Sequence, residues 1–373
     1  MDIAKIREQF PITKRLIFMD HAGVAPISNC TRDAMTETLR EINESAAARS
    51  GEWDRKIRRA REGAAELIGA SAGEIAFVKN TTEGILIVAN GIAWRKGDNI
   101  VVPDQEFPAN VYPWWNLKRL GVETRMVPVM DGRVPIEEIE VLVDDRTRCI
   151  AISFVQFSSG FRADLKRIGE MCAERGIFFC VDAIQGLGAL RLDVKECKIH
   201  FLSADGHKWL LGPEGAGIFY CDEAMLDRLA VAGLGWMSVI NPSDYLPYHM
   251  TLHPDARRFE CGSYNTVGII GLGASLDFLL EIGIESIEAQ VIALTDKLCA
   301  GLINKGYDIY SPRGPGEKSG IVCFSHVEHD SKDLVRMLTE NSVVTRVRSG
   351  RVRLSPHFYN SEEEIDRVLA LLP

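Results

Sequence analysis

An aspartate and a lysine, each placed where an apolar run stops, are the residues of this chain best suited to chemistry. Ile177–Val181 is a short run of aromatic and branched residues. Its length and bounding turn signals suit a buried parallel strand. Asp182 follows directly, which puts a carboxylate at a strand's C-terminal end, where open α/β sheets bind ligands. A second run, Ile199–Leu202, leads through Ser203, Ala204, Asp205, Gly206 and His207 to Lys208. A Gly212-Pro213-Glu214-Gly215 turn and a third run, Ala216–Tyr220, come next. An acid and an amine at adjacent strand ends are what pyridoxal phosphate requires. A lysine forms a Schiff base with its aldehyde, and a carboxylate keeps its ring nitrogen protonated so that the ring accepts electrons. Lys208 is therefore expected to carry the Schiff base and Asp182 to face the ring nitrogen. Either residue alone would read as a surface lysine or a capping aspartate. The two together, with Gln185 and His207 beside them, favour the cofactor.

V-D-A-I-Q over 181–185, followed by D-G-H-K-W-L-L-G-P-E-G over 205–215, resembles the class V aminotransferase family of fold-type I pyridoxal-phosphate enzymes. That family includes cysteine desulfurases, isopenicillin N epimerase-like proteins and kynureninase. The likeness runs from about Phe18 to the C-terminus. It implies an α/β fold: a large domain, 15–255, with a mostly parallel seven-stranded sheet sandwiched by helices, and a smaller α+β domain, 256–373, on which residues 1–14 pack. By the same resemblance Gln185 bonds the cofactor's phenolic oxygen and His207 helps hold its phosphate. Asp205 stands at a phosphate-side position where desulfurases usually carry serine or threonine.

Other elements must bring further groups to this place. Ile75–Val78 reads as a strand, and Asn80-Thr81-Thr82-Glu83-Gly84 opens a helix. Free amides and the dipole at a helix start attract phosphate; a plain threonine cap is the better reading of these residues alone, but the family resemblance at T-T-E-G-I assigns Thr81 and, more firmly, Thr82 to the cofactor phosphate. After the strand Asn99–Val102 comes Phe107, where desulfurases carry a histidine that stacks on the ring and moves protons. Phenylalanine can stack but cannot titrate. Phe18–Pro26 is a strand running into a small-residue loop, from which the resemblance implies a substrate-side position for His21. Ser263 matches a hydroxyl that reaches the neighbouring subunit's cofactor phosphate, which implies a homodimer with shared active sites.

Arginine alternates through Arg346-Val347-Arg348-Ser349-Gly350-Arg351-Val352-Arg353. With Ser349-Gly350 as a two-residue turn, Arg348 opposes Arg351, Arg346 opposes Arg353, and all four share a face. Like charges paired across strands repel, so an anion should relieve them. Arginine suits bidentate carboxylate binding. Family matching selects Arg353 first and Arg348 second for the substrate carboxylate, and leaves Arg346 and Arg351 as a solvated edge. No cysteine follows Cys323, although desulfurases carry a persulfide-forming cysteine just beyond their R-x-G.

The bulk composition narrows the rest. The 373 residues, 46% hydrophobic and 25% charged, suit a globular chain large enough for two domains. A net charge of −9 argues against nucleic acid or an acidic membrane surface as partner. No apolar run reaches a membrane span, and the start MDIAKIREQF resembles neither a signal nor a transit peptide. Nine cysteines without a CxxC pair fit reduced thiols in a cytoplasmic protein. His249 and His253 share an i,i+4 spacing but lack the flanking helix pattern of a zinc motif, so no metal is expected. The expectation is a pyridoxal-phosphate enzyme acting on an α-amino acid, leaning to a C–S or C–C lyase. An epimerase or aminotransferase is the alternative, and a non-catalytic binding protein the remote one.

Overall fold

The computed structural model describes residues 2–243, 246 and 248–373. Its first long helices are α1 (Asn29–Ser45) and α2 (Ser50–Ile68). Ser28 caps α1 by accepting from the Thr31 amide, and Gly69, at φ +70°, ends α2 in the left-handed conformation that glycine adopts without strain. Seven strands follow: β1 (Ile75–Val78), β2 (Asn99–Pro103), β3 (Glu123–Val127), β4 (Thr147–Ser153), β5 (Phe178–Asp182), β6 (Phe201–Asp205) and β7 (Gly217–Cys221). They form one sheet in the order β1-β7-β6-β5-β4-β2-β3. Only β7 runs antiparallel to its neighbours. The sheet is the mostly parallel seven-stranded one that the resemblance implied.

Alternation along the central strands feeds two cores. Phe179, Val181, Ile150, Ile152 and Leu202 face α2, while Phe178, Cys180, Cys149, Ala151 and Phe201 face α3 (Thr81–Gly91). Burial on both faces explains why β5 and β6 read as continuous apolar runs. Helix α4 (Leu165–Arg175) crosses between β4 and β5, begun by Asp164 and ended by Gly176. Helix α5 (Thr266–Ile282) inserts Leu272, Leu276 and Leu279 into the same core as Ala60 and Ala64 of α2. It follows the expected boundary at 255 yet packs on the large sheet's side.

The C-terminal part has its own core. Leu294, Leu298 and Leu302 of α6 (Ile284–Asn304) pack against Val322, Phe324, Val352 and Leu354. Those four belong to an antiparallel sheet of β8 (Asp308–Ile309), β9 (Val322–Ser325), β10 (Arg346–Arg348) and β11 (Arg351–Leu354), in the order β10-β11-β9-β8. The N-terminus is fastened here. Phe10 stacks on Tyr359, Arg7 pairs with Glu364 at 2.7 Å, and Ile17–Phe18 pair in parallel with Val343–Val344. No single described helix is long and apolar enough to cross a membrane.

Candidate active site

Strands β5 and β6 are neighbours, with Asp182 opposite Ser203. The chain leaves β6 at Asp205 and reaches Lys208 three residues later. Both side chains open into a cavity of about 440 Å³ at the C-terminal ends of the strands. Asn80, Thr81, Thr82, Phe107, Phe157, Gln185, Asp205, His207, Arg346, Arg348 and Arg353 also line it. A wider cleft of about 710 Å³ lies elsewhere, but its Arg133 and Arg167 already pair with Glu317 and Glu137 and it holds neither Asp182 nor Lys208. The smaller cavity has the chemistry.

Burial governs the two central charges. The carboxyl of Asp182 is raised, first by desolvation and then by the neighbouring carboxylate of Glu106. Lys208 is lowered by desolvation, helped by Arg353 and Arg348 and opposed by Asp182. A lowered lysine is a better nucleophile towards an aldehyde. A raised aspartate lacks a close cation, which a protonated ring nitrogen would supply. Asp182 Oδ1 accepts from the Ile184 amide at 3.1 Å. Lys208 Nζ hangs 5.5 Å from the centre of the Phe107 ring and has no hydrogen-bond partner among the described residues.

The amide of Gln185 has a defined orientation. Trp209 Nε1 can only donate, so the group it meets at 3.1 Å is Gln185 Oε1. Gln185 Nε2 then donates to the Ala22 carbonyl at 3.1 Å and keeps a second N–H for a ligand oxygen. At the phosphate side, α3 points its first turn into the cavity. Asn80 caps it by accepting from the Glu83 amide at 3.0 Å. Thr81 is buried and its Oγ1 accepts from the Asp205 amide at 3.0 Å. Asp205 accepts from the Gly206 amide and places Oδ2 3.0 Å from His207 Nδ1, close but without hydrogen-bond alignment. The donors at one end, the unpartnered amine in the middle and the acid behind it fit pyridoxal 5'-phosphate.

The hairpin has the expected register, Arg346 opposite Arg353 and Arg348 opposite Arg351. Ser349 and Gly350 both have positive φ, +47° and +78°, as a two-residue primed turn requires. The anion that relieves the arginines is Asp20. It accepts from Arg346 Nε at 2.6 Å and from Arg353 Nη2 at 3.1 Å. Asp20 and Arg353 are each 1% exposed. Arg346 was expected to be merely solvated; instead it lines the cavity and is held there by this carboxylate. Arg351 lays its guanidinium on the Tyr310 ring at 3.5 Å.

One expected site residue lies elsewhere. His21 is fully buried outside the cavity lining, not at the substrate's position. Its Nδ1 must donate to the Ser355 carbonyl at 2.8 Å, so its Nε2 accepts from the Tyr359 hydroxyl at 2.6 Å. Ser263 is exposed beside the start of α5, away from this cavity. Sequence reasoning gave no role to Asp20, Glu106 or Trp209. Glu106 is buried, receives Ser153 N and Gln156 Nε2 at 2.6 and 2.8 Å, and is raised by desolvation. The need for an anion opposite the arginines was the one signal pointing towards Asp20.

Comparison with known proteins places this site in context. The family model described as aminotransferase class-V matches residues 17–368. A probable cysteine desulfurase of Methanothermobacter thermautotrophicus is 33% identical, over 96% of this chain and 94% of its own length. A cysteine desulfurase of Salmonella typhimurium is 31% identical, over 99% and 97%. The apo structure of a cysteine desulfurase from Thermococcus onnurineus superposes with a TM-score of 0.90 at 27% identity, covering 98% of this chain and 96% of its own. A cystine C–S lyase in complex with cysteine persulfide has the same fold, with a TM-score of 0.90 at 22% identity and coverage of 97% and 98%. With its match spanning nearly the whole length and its acid and lysine at adjacent strand ends, the chain belongs to the class-V aminotransferase family, as a pyridoxal-phosphate-dependent enzyme.

Proposed function

We propose that this enzyme cleaves the Cβ–S bond of a cysteine-type amino acid by β-elimination and passes no sulfur to a cysteine of its own. The observation that carries the reading is the cavity wall: it has the lysine, the acid and the arginines, but among the described residues no cysteine lines it. Cys323, opposite Arg353 in the sheet, is buried, and desolvation pushes its thiol up to about 11. Such a thiol is a poor acceptor of sulfur. The tight Ser349-Gly350 turn also leaves no loop there on which a thiol could be delivered. The curated relatives named as cysteine desulfurases support chemistry at a C–S bond.

The bound cofactor supplies the electron sink for carbanion chemistry. Asp182 maintains the proton on its ring nitrogen. With the cofactor bound, the Lys208 amine would be the group placed to take a proton from the substrate's Cα. Phe107 offers a face for stacking and no titratable group, so proton movement falls to Lys208. Arg353 holds the α-carboxylate through N–H groups not used by Asp20 and Phe157. Thr82, the first amides of α3 and His207 hold the phosphate, with Asp205 steering the imidazole and Thr81 bracing Asp205. The spare N–H of Gln185 takes the phenolic oxygen. A second copy of the chain brings its exposed Ser263 to the site, as a homodimer. Nine free cysteines suit a cytoplasmic setting.

The reaction balances as R–S–CH₂–CH(NH₃⁺)–COO⁻ plus water giving R–SH, pyruvate and ammonium. Incubating the holoenzyme with S-alkyl cysteines should release pyruvate and ammonium in equal amounts. Alanine released from free L-cysteine, with the sulfur retained on the protein, would overturn the reading in favour of a desulfurase. Exchange of solvent deuterium into Cα without consumption would mark an epimerase.

A further inference from the structure

The C-terminal sheet carries ligating side chains that the cofactor chemistry leaves unused. Strand β9 ends at Ser325, and α7 (Ser331–Glu340) begins after Asp330. The turn between them reads His326-Val327-Glu328-His329. Among the described residues, His326, Glu328 and His329 form the one set of three ligating side chains whose donor atoms all lie within 4.8 Å of one another. None of them lines the cofactor cavity. The two imidazoles stack at 4.6 Å. Val327 is 90% exposed, so the turn leaves an apolar side chain in water while its neighbours converge.

The Glu328 carboxylate and the His329 nitrogens have no hydrogen-bond or ion-pair partner among the described residues. His326 Nδ1 accepts from the Glu328 amide at 3.1 Å, so its lone pair faces the turn and its proton sits on Nε2. Nε2 lies towards Gly306, where a Cβ would come within 3.7 Å of it. The ring also packs on Tyr307 at 4.8 Å. Gly306 and Tyr307 follow the C-terminus of α6, whose last carbonyls favour a nearby cation. The Lys305 amine does not fill that role, because it is turned to the Leu372 carbonyl at 2.6 Å. At the start of α7 the opposite end of a helix dipole is answered by Asp330, which accepts from the Lys332 and Asp333 amides.

We infer that this turn binds one divalent transition cation of the zinc type, through His326 Nδ1, a Glu328 carboxylate oxygen and a His329 ring nitrogen, with water completing the shell. Two imidazoles and a carboxylate suit zinc, whereas magnesium and calcium take oxygen ligands. Zinc bonds of roughly 2.0–2.1 Å set tetrahedral ligands about 3.3 Å apart, so the three close by no more than about 1.5 Å. The cost is the Glu328 amide's contact with His326, which water replaces at this exposed turn. The ion fastens the exit of β9, a strand paired with β11, to the start of α7. This holds whichever reaction the cavity performs.

Holoenzyme stripped of metal by a chelator is titrated calorimetrically with ZnCl₂, and with MgCl₂ as control. One Zn²⁺ should bind per chain with a Kd below about 100 µM, and Mg²⁺ should not bind. His326→Gln and His329→Gln should each weaken zinc binding at least about tenfold, while their cofactor absorbance shows that they fold. Cys261→Ser, which removes the exposed thiol, should leave it unchanged. Zinc should raise the urea midpoint of the parent more than that of either histidine variant. A Kd above about 100 µM in the parent, or one within about tenfold of the parent's in a folded histidine variant, overturns the inference. Loss of binding in Cys261→Ser would assign the ion to that thiol and overturn it as well.

Discussion

Asp20 sets the terms on which two arginines occupy the cavity. Its two oxygens each take one guanidinium, and Gly23 makes this possible: a Cβ there would lie 2.5 Å from Asp20 Oδ2. Arg353 has little water around it, so its charge depends on that carboxylate and on the Phe157 carbonyl at 3.3 Å. Asp20→Asn keeps the shape and removes the charge. It should cost on the order of 3 kcal/mol of stability, as expected when a buried pair loses one partner, measured by urea denaturation of apoenzyme. Asp182 makes a different case. Nearby Glu106 and full burial work against its ionised form, so its charge depends on a cation from the ligand. Asp182→Asn should leave the fold intact and lower kcat by about a hundredfold or more with little change in KM, because the loss falls on the charge that develops during reaction. A variant that lost cofactor without losing rate per bound cofactor would contradict this.

The β10–β11 hairpin is the element that turns a sequence pattern into a site. Its primed turn puts Arg348 at the mouth and Arg353 at the floor from strands only a few residues long. Ser349 holds a φ of +47°, which asparagine tolerates better, so Ser349→Asn should raise stability by about 0.5 kcal/mol. Gly350→Val places a branched residue at φ +78°. It should cost on the order of 1–3 kcal/mol locally and raise KM for substrate more than it lowers kcat, since the arginines bind and Lys208 reacts. Thermal melts and steady-state kinetics test both. This turn was legible beforehand because glycine and strict alternation are local signals. So was β5, whose observed start at Phe178 differs from the expected one by a single residue. Strand β3 was not legible: it is an edge strand with Glu123 exposed and Thr124, Arg125 and Met126 half-buried, so no apolar run marks it. Asp20 lies within the Phe18–Pro26 stretch but gains a role only in three dimensions, because its partners lie 326 and 333 residues away. The swap between expected roles, His21 going behind the wall while Arg346 joined it, has the same cause. Neither the strand period nor the motif says which side of a connecting loop faces the ligand.

Across the whole molecule, the seam between the large sheet and the C-terminal part is held by neutral imidazoles. His357 receives the Phe358 amide on Nδ1 at 2.8 Å, so its Nε2 donates to the Trp209 carbonyl at 3.0 Å. Trp209 is the residue that orients Gln185. His21 ties the N-terminal loop to Ser355 and Tyr359, and the two imidazoles sit edge to face at 5.2 Å. Burial lowers His357 to about 4 and His21 well below the ordinary range, with His357 itself adding repulsion to the latter. In the unfolded chain both titrate near 6.5. Below that pH the unfolded state binds protons that the folded state refuses, so stability is complete above about 6.5 and is lost as pH falls towards 4. For His357 alone the loss between pH 6.5 and 4.5 should be about 2 kcal/mol. Urea denaturation across this range should therefore show a shallower pH slope for His357→Gln than for the parent, whatever the variant's stability at neutral pH. Equal slopes would mean that the seam accepts protons without opening. Because Trp209 and Gln185 lie on the cavity side of the same contact, acid should loosen the cofactor's phenolic end before the sheet unfolds, and its absorbance should change at a higher pH than the far-ultraviolet circular dichroism.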